Sequence, residues 1–318
     1  MLDSDKPHWA VRLRSPHSLA SLADDFGGIA MSTDVVVCDV AAPENATPHS
    51  LVPILHPRAI RTLTHAGAVL VSPELAPRIR QHARWEHPHP RFALANLLAA
   101  RTNNSPATPG ISQHAIIEPN VTIGTHANIG PGAVILQGAH IGDHATIEPR
   151  AVIYGSVFIG NSVVIGAGAV IGRPGFGWAH GPDGTTVRMP QLGGVIIEDD
   201  VEVGPLATID AGTLKPTRLR RGCKLDAHVH VGHNTEIGED TIVAAQTGFA
   251  GSVTVGRGVL IGGQVGVADH VTIGDHARLT GRAGVIGNID DHATVAGFPA
   301  VDRMRWLRAI ATLMKRRS

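Results

Sequence analysis

The sequence is short of rings, thiols and one-sided charge. Six Phe, four Trp and one Tyr occur among 318 residues that also include 37 Gly and 21 Pro, a composition suited to a tightly coiled repeat of small residues. Cys38 and Cys223 lie far apart and cannot form a disulfide framework, which fits a reducing compartment. Lys plus Arg and Asp plus Glu balance at 27 each, so no field of one sign is available for gripping nucleic acid or an anionic membrane. No stretch approaches the roughly 20 apolar residues of a spanning helix. Met1–Ala10 carries Asp3, Asp5 and Lys6 and lacks the basic start and apolar run of a signal peptide. The expectation is a cytoplasmic protein with no transmembrane segment and no nucleic-acid partner.

What the chain does have is a period of six. Isoleucine recurs without a miss at Ile117, Ile123, Ile129, Ile135, Ile141, Ile147, Ile153, Ile159, Ile165 and Ile171, with a small residue two places before each, from Ala115 to Ala169. Neither a helix nor an alternating strand has this period. A large and a small inward place per hexad predict a mainly β fold, a left-handed parallel β-helix of hexapeptide repeats in which three hexads close one coil. The phase resumes at Ile197, Val203 and Ile209, slips by four residues, and runs again from Leu219 to Val285. The interruptions, 173–194 and 211–218, are expected as loops pushed out of the coil, where recognition tends to sit.

The flanks have another texture. In 1–109, Leu19, Leu22, Ala23 and Phe26 recur at helical spacing and stop at Gly27-Gly28; Asp34–Val40 and Ala68–Val71 read as strands and Pro90–Ala100 as a helix. This predicts a small N-terminal α/β head, followed by a linker at Thr102–Gly110 and a β-helix over 110–301. In 302–318, Trp306, Leu307, Ile310, Leu313 and Met314 make the apolar face of a C-terminal helix rich in Arg303, Arg305, Arg308, Lys315, Arg316 and Arg317.

The loops and late coils carry narrower signals: Gly175-Phe176-Gly177-Trp178, Met189-Pro190-Gln191-Leu192-Gly193, Thr208-Ile209-Asp210, Gly232-His233-Asn234, Ala250-Gly251-Ser252, Ile261-Gly262-Gly263-Gln264 and Gly297-Phe298-Pro299. In order and spacing this set resembles the UDP-3-O-acylglucosamine N-acyltransferase family of lipid A biosynthesis, across almost the whole β-helix and more weakly in the head. The resemblance implies a homotrimer that binds no cofactor. It also implies an amide-forming reaction, in which a hydroxyacyl chain moves from the phosphopantetheine of acyl carrier protein to the 2-amine of a nucleotide-sugar substrate, UDP-3-O-acyl-glucosamine.

An amine attacking a thioester must lose a proton, and the oxyanion formed needs hydrogen-bond donors. Imidazole titrates near pH 6.5, which suits His233 to the role of base. By resemblance the Gly251 N–H is the oxyanion donor, and Asp226, Asn234, His270, Phe176, Gln191 and Asp210 bind substrate. Asp226 could alternatively orient His233 by accepting a hydrogen bond. Ile286, within Gly284–Ile286, stands where the family lodges the acyl terminus. Departures from the family are Ala227 for Asn, Pro174 for Asp and Ala211 for Arg; in the head, His56-Pro57 is flanked by Pro53 and Ala59 where two aromatics hold uracil. Three alternatives stay open: a zinc enzyme on the same coil using His228 and His233, with His230 between them, whose required third ligand from an earlier turn finds no histidine near Leu192; a non-catalytic relative; and an acyltransferase using coenzyme A.

Overall fold

Each hexad spends two residues on a strand and four on a corner, so the backbone turns three times per 18 residues. In the computed structural model, which describes residues 10–32, 34–63, 65–79, 83–102 and 110–315, these strands stack into three sheets. The first runs from Ile116–Ile117 to Gly284–Val285 in nine strands, the second from Thr122–Ile123 to Thr272–Ile273 in eight, and the third from Asn128–Ile129 to Val301–Asp302 in ten. Pairing within the coil is parallel, in register at one-coil spacing: Val134 opposite Val152, His140 opposite Phe158, Thr146 opposite Val164. The terminal Val301–Asp302 strand alone reverses, pairing antiparallel with Thr294–Ala296. The inward places are filled as the period requires, with Ala133, Ile135, Ala151, Ile153, Ala169 and Ile171 fully buried. The coil interior is thus filled with side chains, most of them apolar, and any ligand must bind outside it.

Many of the 19 histidines are explained by the corners. His126, His144, His276 and His292 hold the left-handed corner conformation, with φ between 56° and 58°, a region where His is enriched. Their rings stack one coil apart, His126 on His144 at 5.0 Å and His276 on His292 at 5.1 Å.

The structure moves two boundaries. Strand pairing persists through Arg173 with Asp210 and Pro174 with Ala211, so the loops leave the coil at Gly175 and Gly212, two residues and one residue later than the phase break indicates. The coil begins at Ile111, bridged to Ile129, and continues past Val285: Ile289 pairs with Ile273 and Val295 with Leu279. That last coil is two residues short, which hides it from a strict count of six. Both loops leave from the corner between the first and second sheets, on successive coils, and the first carries a hairpin of Trp178–His180 with Thr186–Arg188.

The chain falls into two compact units, residues 1–108 and 109–318. In the first, strands β1 (Ala10–Ser18), β2 (Ile29–Ala30), β3 (Val36–Ala41), β4 (Ser50–Ile54), β5 (Ala68–Val71) and β6 (Ala83–Glu86) make one mixed sheet in the order β1-β3-β4-β5-β6-β2. Helix α1 (Leu19–Phe26) starts where the Ser18 hydroxyl accepts the Ser21 N–H and stops at Gly27, as the Gly-Gly pair predicts. Helix α2 spans Pro90–Thr102. Alternate residues of β5 serve two cores: Ala68 and Leu70 pack with Leu22, Trp85 and Leu97, and Val69 and Val71 with Val52, Ile54 and Ile79. Ala59, beside His56-Pro57, packs against this second core.

Helix α3 (Arg303–Lys315) has no buried residue; Trp306 and Ile310 are half-buried and Leu307, Leu313 and Met314 exposed. Most of the expected linker, 103–109, and Arg316 and Arg317 lie outside the described residues. No described helix is long and apolar enough to cross a membrane.

Candidate active site

His233 sits at the corner between the first and second sheets, just after the strand His230–Val231 and directly below the two loops. Its ring is fixed by the next residue. Asn234 donates its amide N–H to the Lys215 carbonyl at 3.1 Å, which turns the amide oxygen toward His233 Nδ1 at 3.0 Å. An amide oxygen can only accept, so the His233 proton resides on Nδ1 and Nε2 presents its lone pair. The same oxygen accepts the Thr213 N–H at 3.2 Å, and Thr213 Oγ1 lies 2.7 Å from Gln191 Oε1. Gln191 and Asn234 therefore clamp the two loops together over His233.

One coil later, Gly251 occupies the equivalent corner. A Cβ built there would lie 2.5–2.6 Å from Cε1 and Nε2 of His233, so glycine is required for the ring to lie over this peptide. At the same place in other corners the backbone N–H is taken by a side-chain oxygen: Gln137 by Glu118 at 2.8 Å, Ala167 by Glu148 at 2.9 Å, Arg257 by Asp275 at 2.9 Å. Among the described residues the Gly251 N–H has no such acceptor, a state it shares with Gly263 and Gly281, and unlike theirs its peptide lies against the His233 ring. It faces an open cleft of about 460 Å³ lined by Phe176, Asp210, His230, His233, Gly251 and His270.

Asp210 forms the floor beneath the loops. Its carboxyl is almost fully buried, with Oδ2 3.9 Å from His230 Nε2 and Oδ1 3.6 Å from Arg173 Nε. Burial pushes it above the usual carboxylate range, against the opposing pull of His230, Arg173 and His233. Oδ1 is sealed from solvent and has no hydrogen-bond partner among the described residues, with the Arg173 guanidinium its nearest charge.

A second cleft of about 520 Å³ continues from the first, sharing Gly248, and ends at Ile286 and Phe298. Its floor is a column of outward glycines, Gly248, Gly266 and Gly284, stacked in register directly after Thr208 and His230. A Cβ at Gly248 or Gly266 would meet nothing within 4 Å. Gly248 and Gly266 leave an open groove along the outside of the coil, which the Phe298 ring closes against Gly284.

The comparisons agree with this architecture. A family profile described as "Bacterial transferase hexapeptide (six repeats)" matches residues 138–173, and one described as "Hexapeptide repeat of succinyl-transferase" matches residues 120–148. A UDP-3-O-acylglucosamine N-acyltransferase from Syntrophotalea carbinolica is 44% identical over 93% of this chain and 92% of its own length, and one from Helicobacter hepaticus is 37% identical over 90% and 91%. The chain belongs to the UDP-3-O-acylglucosamine N-acyltransferase family. Among solved structures, a UDP-N-acetylglucosamine acyltransferase from Bacteroides fragilis superposes with a TM-score of 0.56 at 26% identity, covering 61% of this chain and 73% of that one. The protein is an acyltransferase.

Of the residues that the resemblance to this family singled out, the fold brings His233, Gly251, His270, Phe176 and Asp210 into one cleft, with Asn234 and Gln191 behind it and Ile286 at the groove's far end. Asp226 stands apart. Its carboxylate is taken by the backbone N–H groups of Ala227 at 2.7 Å and Ala245 at 3.2 Å, so the bond orienting His233 comes from Asn234 and not from Asp226. Among the described residues of a single chain no three His, Cys, Asp or Glu side chains converge. Sequence reading missed Asp269 beside His270, His230 as a cleft residue, and the glycine column. The last was visible as glycine one place before the inward residue at three positions spaced 18 residues apart.

Proposed function

We propose that this chain transfers a hydroxyacyl group from the phosphopantetheine of acyl carrier protein to the 2-amine of a UDP-3-O-acyl-glucosamine, acting as a homotrimer in the cytoplasm. The amine nitrogen attacks the thioester carbon while His233 Nε2 takes its proton. The tetrahedral oxyanion accepts a hydrogen bond from the Gly251 N–H. Collapse breaks the C–S bond, and the proton on His233 passes to the departing thiolate, leaving amide and free thiol. His270 contacts the sugar or the oxyanion, and Phe176 and Asp210 bound the acceptor. The acyl chain lies along the Gly248-Gly266-Gly284 floor, with its end near Ile286.

The observation that carries this reading is the Gly251 N–H, a corner donor without a protein acceptor, placed under a histidine whose Nε2 is free to accept a proton and at the head of an apolar groove. The names of the curated relatives support the acceptor assigned. The cleft opens on the outside of the coil, where a neighbouring coil can complete it; this supports the trimer. Arg303, Arg305, Arg308 and Lys315 of α3 offer a basic surface suited to an acidic carrier. Mass spectrometry of products from acyl carrier protein and coenzyme A thioesters, each with a panel of UDP-aminosugars, tests the proposal. The expected product is the amide of UDP-3-O-acyl-glucosamine formed from the carrier thioester; amide formed only from coenzyme A thioesters, or on another amine, overturns it.

A further inference from the structure

Four inward places of the coil hold threonine: Thr217, Thr235, Thr241 and Thr247, all buried. Thr217 accepts the Asn234 N–H at 2.9 Å. The other three lie on successive corners of one coil and do something different. In many alanine corners the inward residue closes the turn directly, as Ala169 N–H does onto Gly166 O at 3.1 Å and Ala283 N–H onto Thr280 O at 3.1 Å, whereas valine corners such as Val163 and Val229 make no such bond. One coil beyond the threonines, a hydroxyl relays this closure. Val253 N–H donates to Thr235 Oγ1 at 3.3 Å, and that hydroxyl donates to Ala250 O at 3.0 Å. Thr241 relays Val259 to Gly256, and Thr247 relays Val265 to Gly262, in the same way.

Of the three relays, the one through Thr235 ends on a peptide of the cleft. Ala250 C=O and Gly251 N–H belong to one planar trans peptide and point in opposite directions. Holding the carbonyl inward on Thr235 therefore turns the Gly251 N–H outward, under His233. A hydrogen bond onto the carbonyl also polarises the peptide and strengthens its N–H as a donor.

We propose that Thr235 is a positioning residue, which aims and polarises the Gly251 N–H toward the oxyanion from inside the coil. The proposal rests on the acyl-transfer reading of the site. Without the hydroxyl, Ala250 O loses its partner inside the coil, since the valine corners at Val163, Val229 and Val271 make no direct closure, and the peptide is free to tilt. Thr241 and Thr247 are built-in controls, because they make the same relay to peptides outside the cleft.

The test is steady-state kinetics with a 3-hydroxyacyl thioester of acyl carrier protein and UDP-3-O-acyl-glucosamine, on Thr235→Val, Thr235→Ala, Thr235→Ser, Thr241→Val and Thr247→Val. Val and Ala already fill equivalent inward places at Val229 and Ala207, so these variants are compatible with the coil. Loss of a whole oxyanion donor costs about 10²–10³ in kcat; a mis-aimed donor is expected to cost about tenfold. Thr235→Val and Thr235→Ala should show that loss in kcat with KM for both substrates unchanged, and Thr235→Ser should restore it. The two control variants should melt at lower temperature yet keep kcat. Unchanged kcat in Thr235→Val and Thr235→Ala, or an equal loss in the controls, overturns the proposal. Wild-type protein that forms no amide overturns the acyl-transfer reading, and this proposal with it.

Discussion

The first sheet has an early half and a late half that share one interior and differ in one outward column. Inward, Ile135, Ile153 and Ile171 in the early coils correspond to Phe249, Val267 and Val285 in the late ones, all buried. Outward, Val134, Val152 and Val170 give way through Thr208 and His230 to Gly248, Gly266 and Gly284. The backbone is the same, so the inward places decide that a coil forms and the outward places decide what it does. The site stands at the transition, where the two loops also leave the coil.

This contrast is open to attack from both sides. On the late side, His233→Ala should lower kcat by about 10²–10⁴, the scale of a positioned general base, with an unchanged melting temperature; activity equal to wild type would remove His233 from the mechanism. On the early side, Ile153→Ala should lose about 2–5 kcal/mol of stability through the cavity it leaves, measured by denaturant unfolding, while kcat of the folded protein stays the same. A smaller effect is expected at the transition. Because burial raises the Asp210 carboxyl from 3.8, the folded chain holds that proton more tightly than the unfolded one, and stability declines as pH rises from about 3.8 through the raised value. Asp210→Asn should abolish this decline and melt higher than wild type at neutral pH; parallel melting profiles would count against a buried, strained carboxylate. The smallest effect concerns thiols. Cys223 is sealed in the coil and pushed up to about 12 by burial, whereas Cys38 is exposed, so a thiol reagent should modify one cysteine in the folded protein and both after unfolding.

How far the sequence reveals this molecule follows from the same division. The inward hexad is periodic, because a large apolar residue, most often Ile or Val, recurs in each place, so the coil and its interruptions could be read directly. The short final coil escaped because Ile289 and Val295 are two residues out of phase. That both loops share a corner over Asn234 also escaped, since their 20-residue and four-residue insertions do not announce a common origin until coils are stacked. Residue type and family likeness singled out His233 and Gly251. Asp226 carried an equal signal, yet its carboxylate serves two backbone N–H groups of the corner turns. The glycine column was obscured for the opposite reason: single glycines are common in this chain, and their alignment emerges only at the coil's 18-residue spacing.

The central claim, that the late outward column was emptied to take an acyl chain, is tested most directly by refilling it. Gly266→Val places in the late coil the residue that the early coils carry, at a position where a Cβ meets nothing within 4 Å, so the fold should tolerate it. The decisive measurement is kcat/KM across a series of acyl chain lengths, wild type against Gly266→Val. The account expects a loss of about tenfold or more for long chains, since each buried methylene contributes about 0.8 kcal/mol, with the shortest chains transferred at the wild-type rate. A loss uniform across chain length, or no loss at all, would contradict it.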